Sequence, residues 1–191
     1  MGGFSGAEKS DDRKGKIIVK IKPRDKSHRA SASQFFVAGE LCRRGFVAVV
    51  TLGNCPNTDI LCSDVEGKSF VHIQVKTFVP GNQTCSVGMK AEKDYGNRFF
   101  WVLGGIPTPD MDKTIEYYVI PSSIMSKNIR AEFQDWVRSP GKRKSHDSNN
   151  QVRTVHLPPF KNKRHEWISE YKNRWDLVEE ALTSFVDTRL P

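Results

Sequence analysis

The sequence predicts an α/β or α+β domain organised around one sheet, and three observations carry that expectation. A helix-spaced stretch, "ASASQFFVAGELCRRG", ends in Gly45; three strand-like runs follow it at 46–52, 59–65 and 69–78; and further strand and helix signals are mixed downstream. With 191 residues, 37% hydrophobic and 10% aromatic, the chain is long enough to bury the core of one main domain.

The elements can be justified in order. After a polar start, "KIIVKIK" at 16–22 is a candidate edge strand closed off by Pro23, inside a basic N-terminal extension that we place at 1–29. The main domain then covers 30–191. In its first helix a serine offers an N-cap, Phe35, Ala38, Leu41 and Cys42 recur at helical spacing, and Gly45 suits the stop. "FVAVVTL", "DILCSDV" and "SFVHIQVKTF" read as strands, with "EGK" turning between the last two. Residues 80–97 are turn-rich with a short helix at "GMKAEKDY", and "RFFWVLGG" and "IEYYVIP" are dense in β-branched and aromatic residues. Ile124, Ile129, Phe133 and Trp136 predict a helix over about 122–137, and the Gly, Ser, Asn and Lys-rich segment 139–153 reads as a mobile basic loop. Ile168, Tyr171, Trp175, Val178, Leu182 and Phe185 step by three and four, which predicts one C-terminal helix from about 165 to 186. Trp101, Trp136, Trp167 and Trp175 all sit in periodic apolar runs and are read as core.

Several functions are excluded. There is no GxGxxG, P-loop, GxSxG or HExxH signature. Cys42, Cys55, Cys62 and Cys85 form no CxxC pair and lack histidines at zinc-finger spacing, so reduced, mostly packed thiols are expected. No apolar run approaches a membrane span and the N-terminus lacks a signal-peptide core, so we expect a cytoplasmic protein with no membrane partner.

The formal net charge is +8, and it clusters. Residues 9–29 hold nine Lys or Arg against three acids, and residues 138–164 hold eight against the single acid Asp147. Such runs are commonly solvated surface, but two of them on one basic chain tilt toward a polyanion, with nucleic acid favoured over membrane.

The third strand run poses a sharper question. Alternation puts Val71, Ile73 and Val75 on one face and His72, Gln74 and Lys76 on the other. A buried ammonium is costly unless paired or hydrated, so Lys76 should meet a carboxylate or a wet cleft. Asp59 opens the neighbouring strand, and a tight turn between the two would bring it near Gln74 and Lys76. One carboxylate, one amide oxygen and one ammonium suit phosphodiester hydrolysis. Oxygen ligands hold a hard divalent ion such as Mg2+ or Mn2+, and a lysine can orient or deprotonate the attacking water. His72 shares this face and could reach a phosphate, although a lone strand histidine is more often structural.

Asp59 followed by "QVK" at 74–76 resembles the PD-(D/E)xK nuclease superfamily, with Gln in the second acidic place. A Gln form is known within the superfamily, in an intron-homing endonuclease. The upstream helix and "GFVAVVTL" also look like small Holliday-junction resolvases, and "YYVIP" with a Trp-containing C-terminal helix looks like an uncharacterised bacterial branch. The resemblance spans about residues 30–180, with motif content only in 34–78. It implies a restriction-endonuclease-like αβββαβ core with a central mixed sheet flanked by helices. It also implies DNA as partner, Mg2+ or Mn2+ as cofactor, and a metal held by Asp59, Gln74 and the backbone carbonyl of Val75.

The family's helix glutamate falls on Gln34. Glu40 is the tempting substitute, but six residues turn it about 240° around the helix from Gln34. The implied catalytic set is Asp59, Gln74 and Lys76, with Gln34 or Glu40 in support. Lys142, Arg143, Lys144, Lys161, Lys163 and Arg164 would hold the nucleic-acid backbone, and homodimerisation would suit a two-fold symmetric site. With two glutamines in place of acids, three states stay open: a working nuclease, a decayed one that still binds DNA, and a chain altered to block cleavage. A protein-binding domain solubilised by its basic loops is the reading from another class.

Overall fold

The computed structural model describes residues 26–52, 55–139 and 146–184. The candidate strand at 16–22 and Lys142, Arg143 and Lys144 lie outside the described residues. In chain order the elements are α1 (Lys26–Arg43), β1 (Val47–Val50), β2 (Ile60–Ser63), β3 (Phe70–Phe78) and β4 (Thr84–Ser86), then β5 (Phe99–Gly105), β6 (Glu116–Pro121), α2 (Ser122–Arg138), β7 (Thr154–His156) and α3 (Asp176–Thr183). Two stretches, Met89–Glu92 and Lys163–Tyr171, are 3-10 helices.

Five strands form one mixed sheet in the order β1-β2-β3-β5-β6, and helices flank it, as the pattern of the sequence predicts. All pairs are antiparallel except β3 with β5. A parallel pair needs a crossover. Here it is carried by β4 and the 3-10 turn at Met89–Glu92, where the expected core has a helix. β4 pairs with the distant β7 in a separate two-stranded ladder.

Local chemistry explains the boundaries that position the site. α1 ends in a Schellman motif: Gly45 has φ 91°, its N–H donates to Cys42 O at 2.9 Å, and Phe46 N–H donates to Leu41 O at 3.2 Å. The helix starts earlier than expected, at Lys26, so Ser31 and Ser33 lie inside it rather than capping it. Ser33 is fully buried, and a Cβ added at Gly104 of β5 would fall 2.5 Å from its Oγ. Glycine at this position leaves room for the Ser33 hydroxyl of α1 against the sheet. Between β2 and β3 the turn is closed by Asp64, whose Oδ1 accepts the Lys68 N–H at 2.8 Å, and by Gly67 at φ 67°.

Alternation divides the core into two layers. Val71, Ile73 and Val75 of β3, Phe100 and Val102 of β5, and Tyr117 and Val119 of β6 pack against α1 and α3. Phe78, Phe99, Trp101, Leu103, Tyr118 and Ile120 face the other way, against α2 and the small ladder. β5 is therefore buried along its whole length, as expected of a central strand covered on both faces.

The continuous C-terminal helix is where the structure departs most from expectation. The chain forms a 3-10 helix to Tyr171, breaks at Asn173 with φ 54°, and resumes as α3 at Asp176. Lys172 bridges Tyr118 of β6 at the break. The apolar stripe is real but serves both layers: Ile168 packs on one side of the sheet, and Trp175, Val178 and Leu182 on the other. A straight helix cannot cross a sheet edge, so the backbone turns there.

Two smaller expectations also need correcting. Trp101 and Trp175 are buried, but Trp136 is 38% exposed and stacks on His146 with ring centroids 4.2 Å apart. Of the four thiols only Cys62 and Cys85 are packed, while Cys42 and Cys55 are exposed. Among the described residues no helix is long and apolar enough to cross a membrane.

The break at Asn173 can be tested by reversing the usual helix ranking. In a left-handed conformation Asn173→Gly should leave the urea midpoint unchanged or raise it, and Asn173→Ala should cost about 1 kcal/mol. In a continuous helix the order would be the opposite, because Gly is about 1 kcal/mol worse than Ala in a helix interior.

Candidate active site

β2 and β3 stay in register from Ser63↔Phe70 to Ile60↔Ile73, and one residue before Ile60 the Asp59 N–H still donates to Ile73 O at 2.9 Å. Beyond that point β2 has ended and β3 continues to Phe78. The Val75 N–H would then lose its ladder acceptor. Asp59 supplies one from its side chain, and Oδ2 accepts the Val75 N–H at 2.7 Å. Since the N–H and C=O of one strand residue point to the same side, the Val75 carbonyl faces the same gap.

Other groups converge on this carboxylate. The Gln74 Nε2 donates to Asp59 Oδ2, the Gln34 amide reaches it from α1, and the charge of Lys76 acts on it. Asp59, Gln74, Lys76 and Gln34 are all half-buried. Burial pushes the Asp59 carboxyl above the ordinary aspartate range, outweighing the Val75 hydrogen bond, Lys76, Gln74 and Gln34, each of which pulls the other way. Desolvation therefore leaves this anion only partly compensated by the protein itself.

Glu40 sits elsewhere. Its carboxylate is held by Arg43 through two contacts of 2.8 Å and by Arg44 at 2.9 Å, and these arginines keep it below the usual carboxylate range despite some burial. Its field is felt at Tyr117, not at Asp59. His72 is exposed, with its Nδ1 3.1 Å from Thr58 Oγ1.

Of the basic residues expected to meet nucleic acid, Lys161, Lys163 and Arg164 are exposed at the entrance to the second 3-10 helix. Arg164 is paired with Asp135 of α2 at 2.7 Å. Arg153, from the same basic stretch, is not a surface charge: it is 6% exposed, bonded to Glu92 and laid over the Phe133 ring.

Sequence reasoning missed two supports. Thr51 holds the Asp59 backbone, donating its N–H to Asp59 O at 2.9 Å and its hydroxyl to Thr58 O at 2.6 Å. The signal was present, because the turn-prone "GNCPNT" stands between Thr51 and Asp59 in the sequence. Cys85 of β4 lies within the field of Lys76, yet burial still pushes its thiol up to about 12, so it stays protonated. Only the crossover connection brings it there, and no local pattern announces that.

The architecture is that of a nuclease-like fold. The chain is similar in structure to the bacterial homing endonuclease I-Ssp6803I, with a TM-score of 0.55 and 17% identity, over 86% of this chain and 99% of that one. No protein-family model and no curated protein matches the sequence.

The Asp59 environment has a consequence for stability. With its folded-state pKa raised, the contribution of this group to stability is full below the unfolded-state value and is lost as pH rises through the folded-state value. Asp59→Asn keeps a side-chain oxygen for the Val75 N–H and removes the charge. We expect a higher urea midpoint than wild type at neutral pH, and no difference at about pH 3, where the carboxyl is protonated in both the folded and the unfolded chain. An equal or lower neutral-pH midpoint would count against a desolvated carboxylate.

Proposed function

We propose that the chain is a metal-dependent DNA endonuclease of the PD-(D/E)xK superfamily in its Gln form, hydrolysing phosphodiester bonds by attack of water on phosphorus. The observation that carries this reading is the convergence of Gln74, the Val75 backbone, Lys76 and Gln34 on Asp59 at the point where β2 stops and β3 continues. The structural likeness to a homing endonuclease supports the same class.

The donor set fits a hard divalent ion. It offers one carboxylate left partly uncompensated by burial and a strand carbonyl from Val75, and the Gln74 and Gln34 amides, whose nitrogens now donate to Asp59, would turn their oxygens to the ion. Asp59, Gln74 and Val75 would hold Mg2+ or Mn2+, and Gln34 would support a ligand or a water. When bound, the ion supplies positive charge against the growing charge on phosphate and lowers the pKa of water. The protein's own share of the chemistry falls to Lys76, whose ammonium orients the nucleophilic water and the phosphate, and to Asp59, which balances that charge. Lys161, Lys163 and Arg164, with the basic residues at 142–144, hold the DNA backbone and add affinity blind to sequence. Homodimerisation is compatible with the edge strand β1, where Val47 and Val49 are exposed.

A second reading has its own support. Among the residues around Asp59 described above, no second carboxylate joins it, and Gln74 turns its nitrogen toward Asp59. A chain that keeps the fold and binds DNA without cutting it is compatible with that.

Plasmid nicking assays separate the two. We expect ion-dependent nicking in Mg2+ or Mn2+ that falls by about 10²-fold or more in Lys76→Ala and Asp59→Ala, with DNA affinity retained. Salt-sensitive DNA binding with no ion-dependent nicking in the wild type would favour the binding protein.

Filter binding tests the basic surface independently. Lys161→Ala and Lys163→Ala should each flatten the plot of log affinity against log salt by about 0.9 for every phosphate that is no longer neutralised, equally for unrelated sequences. Unchanged slopes would remove these residues from the interface.

A further inference from the structure

A cavity of about 460 Å³ opens between α2, β7 and the second 3-10 helix. Three of its lining residues are Glu132 of α2, His156 of β7 and His165 of the 3-10 helix. One carboxylate oxygen and one nitrogen from each ring all lie within 4.8 Å of one another. The residues come from three separate elements, so no sequence spacing links them. Their joint presentation is a product of the fold.

The His156 and His165 rings stack with centroids 3.7 Å apart and an interplanar angle of 24°. His165 Nδ1 lies 3.1 Å from Glu132 Oε1, but off the angle of a hydrogen bond, and this buried nitrogen has no hydrogen-bond partner among the described residues. A buried ring nitrogen aimed at a carboxylate without bonding to it calls for an explanation. Glu132 is braced from outside, since Trp167 Nε1 donates to its Oε1 at 2.9 Å. That is the supporting contact expected behind a metal-binding carboxylate. The neighbouring cations are neutralised elsewhere: Arg153 by Glu92 and Arg164 by Asp135. Neither occupies Glu132.

We propose that Glu132, His156 and His165 form a binding site for a borderline divalent transition-metal ion, Zn2+ foremost, with one coordination position open to the cavity. Two imidazoles and a carboxylate match zinc's preference for nitrogen and oxygen donors, whereas Mg2+ and Ca2+ prefer all-oxygen shells. Zinc bonds of about 2.0–2.2 Å require the ligand atoms to close up from their present spacing. Rotation of the two imidazoles, which now stack on each other, would contribute that movement. The ion would clamp α2, β7 and the 3-10 helix together, and so fix the entrance segment that carries Lys161, Lys163 and Arg164. This site is separate from the one at Asp59 and does not depend on the nuclease reading.

The test uses the full chain after chelation and desalting, titrated with CoCl2 and then ZnCl2. We expect one equivalent of Co2+ with weak d–d bands of a nitrogen and oxygen shell, displaced by Zn2+, and no sulfur-to-cobalt charge-transfer band. Zn2+ at a hundredfold excess over its Kd should raise Tm by about 5–10 °C. His156→Asn and Glu132→Gln should each lose the bands and the Tm rise while keeping the far-UV spectrum, and Asp59→Asn should retain both. No bands in the wild type, a thiolate band pointing to the cysteines, binding unchanged in His156→Asn and Glu132→Gln, or loss of binding in Asp59→Asn would each overturn the assignment. Should His156→Asn fail to fold, the full-length Glu132→Gln variant carries the same decision.

Discussion

The Asp59 carboxylate stands where β3 loses its ladder partner, and much of the site follows from that replacement. A strand N–H next to a vanished neighbour must find an acceptor or stay wet. By taking the Val75 N–H with its side chain, Asp59 closes the ladder with a negative charge rather than a peptide oxygen. It does so half-buried, where desolvation is costly, and the surrounding amides and ammonium only partly offset that cost. The carboxylate is thereby fixed by the same hydrogen bond that ends a piece of secondary structure.

Much of this arrangement was legible in the chain itself, because it is a matter of period. Alternation over 69–78 separates Val71, Ile73 and Val75 from His72, Gln74 and Lys76, and the sheet puts those two sets on opposite faces. The short turn before β3 then leaves few registers, so Asp59 opposite Gln74 is nearly dictated. Gln34 beside Asp59 needs more than period: it requires α1 to settle onto Gly104 through Ser33, a contact between residues 71 positions apart in sequence.

What escaped the sequence has a common cause. Helical spacing says that residues share a stripe, but not that the stripe meets a single partner. From Ile168 to Leu182 it meets two, and Asn173 absorbs the change of direction. Trp136 has helical spacing as well, but it lies near the end of α2, where the layer beneath it has run out and His146 covers the ring instead. Glu132, His156 and His165 left no trace, because three elements distant in sequence deliver one residue each. Period reports local geometry, and these outcomes depend on where an element lies relative to the boundary of the sheet.

The passage of the C-terminal segment past β6 also bears on how the molecule comes apart. With Ile168 anchored in one layer, Trp175 in the other, and Lys172 bridged to Tyr118 between them, the segment works as a strap belonging to both half-cores. Peeling either layer from the sheet drags the strap and disturbs its opposite number. Two hydrophobic slabs that could have melted one after the other are in this way mechanically coupled through one segment.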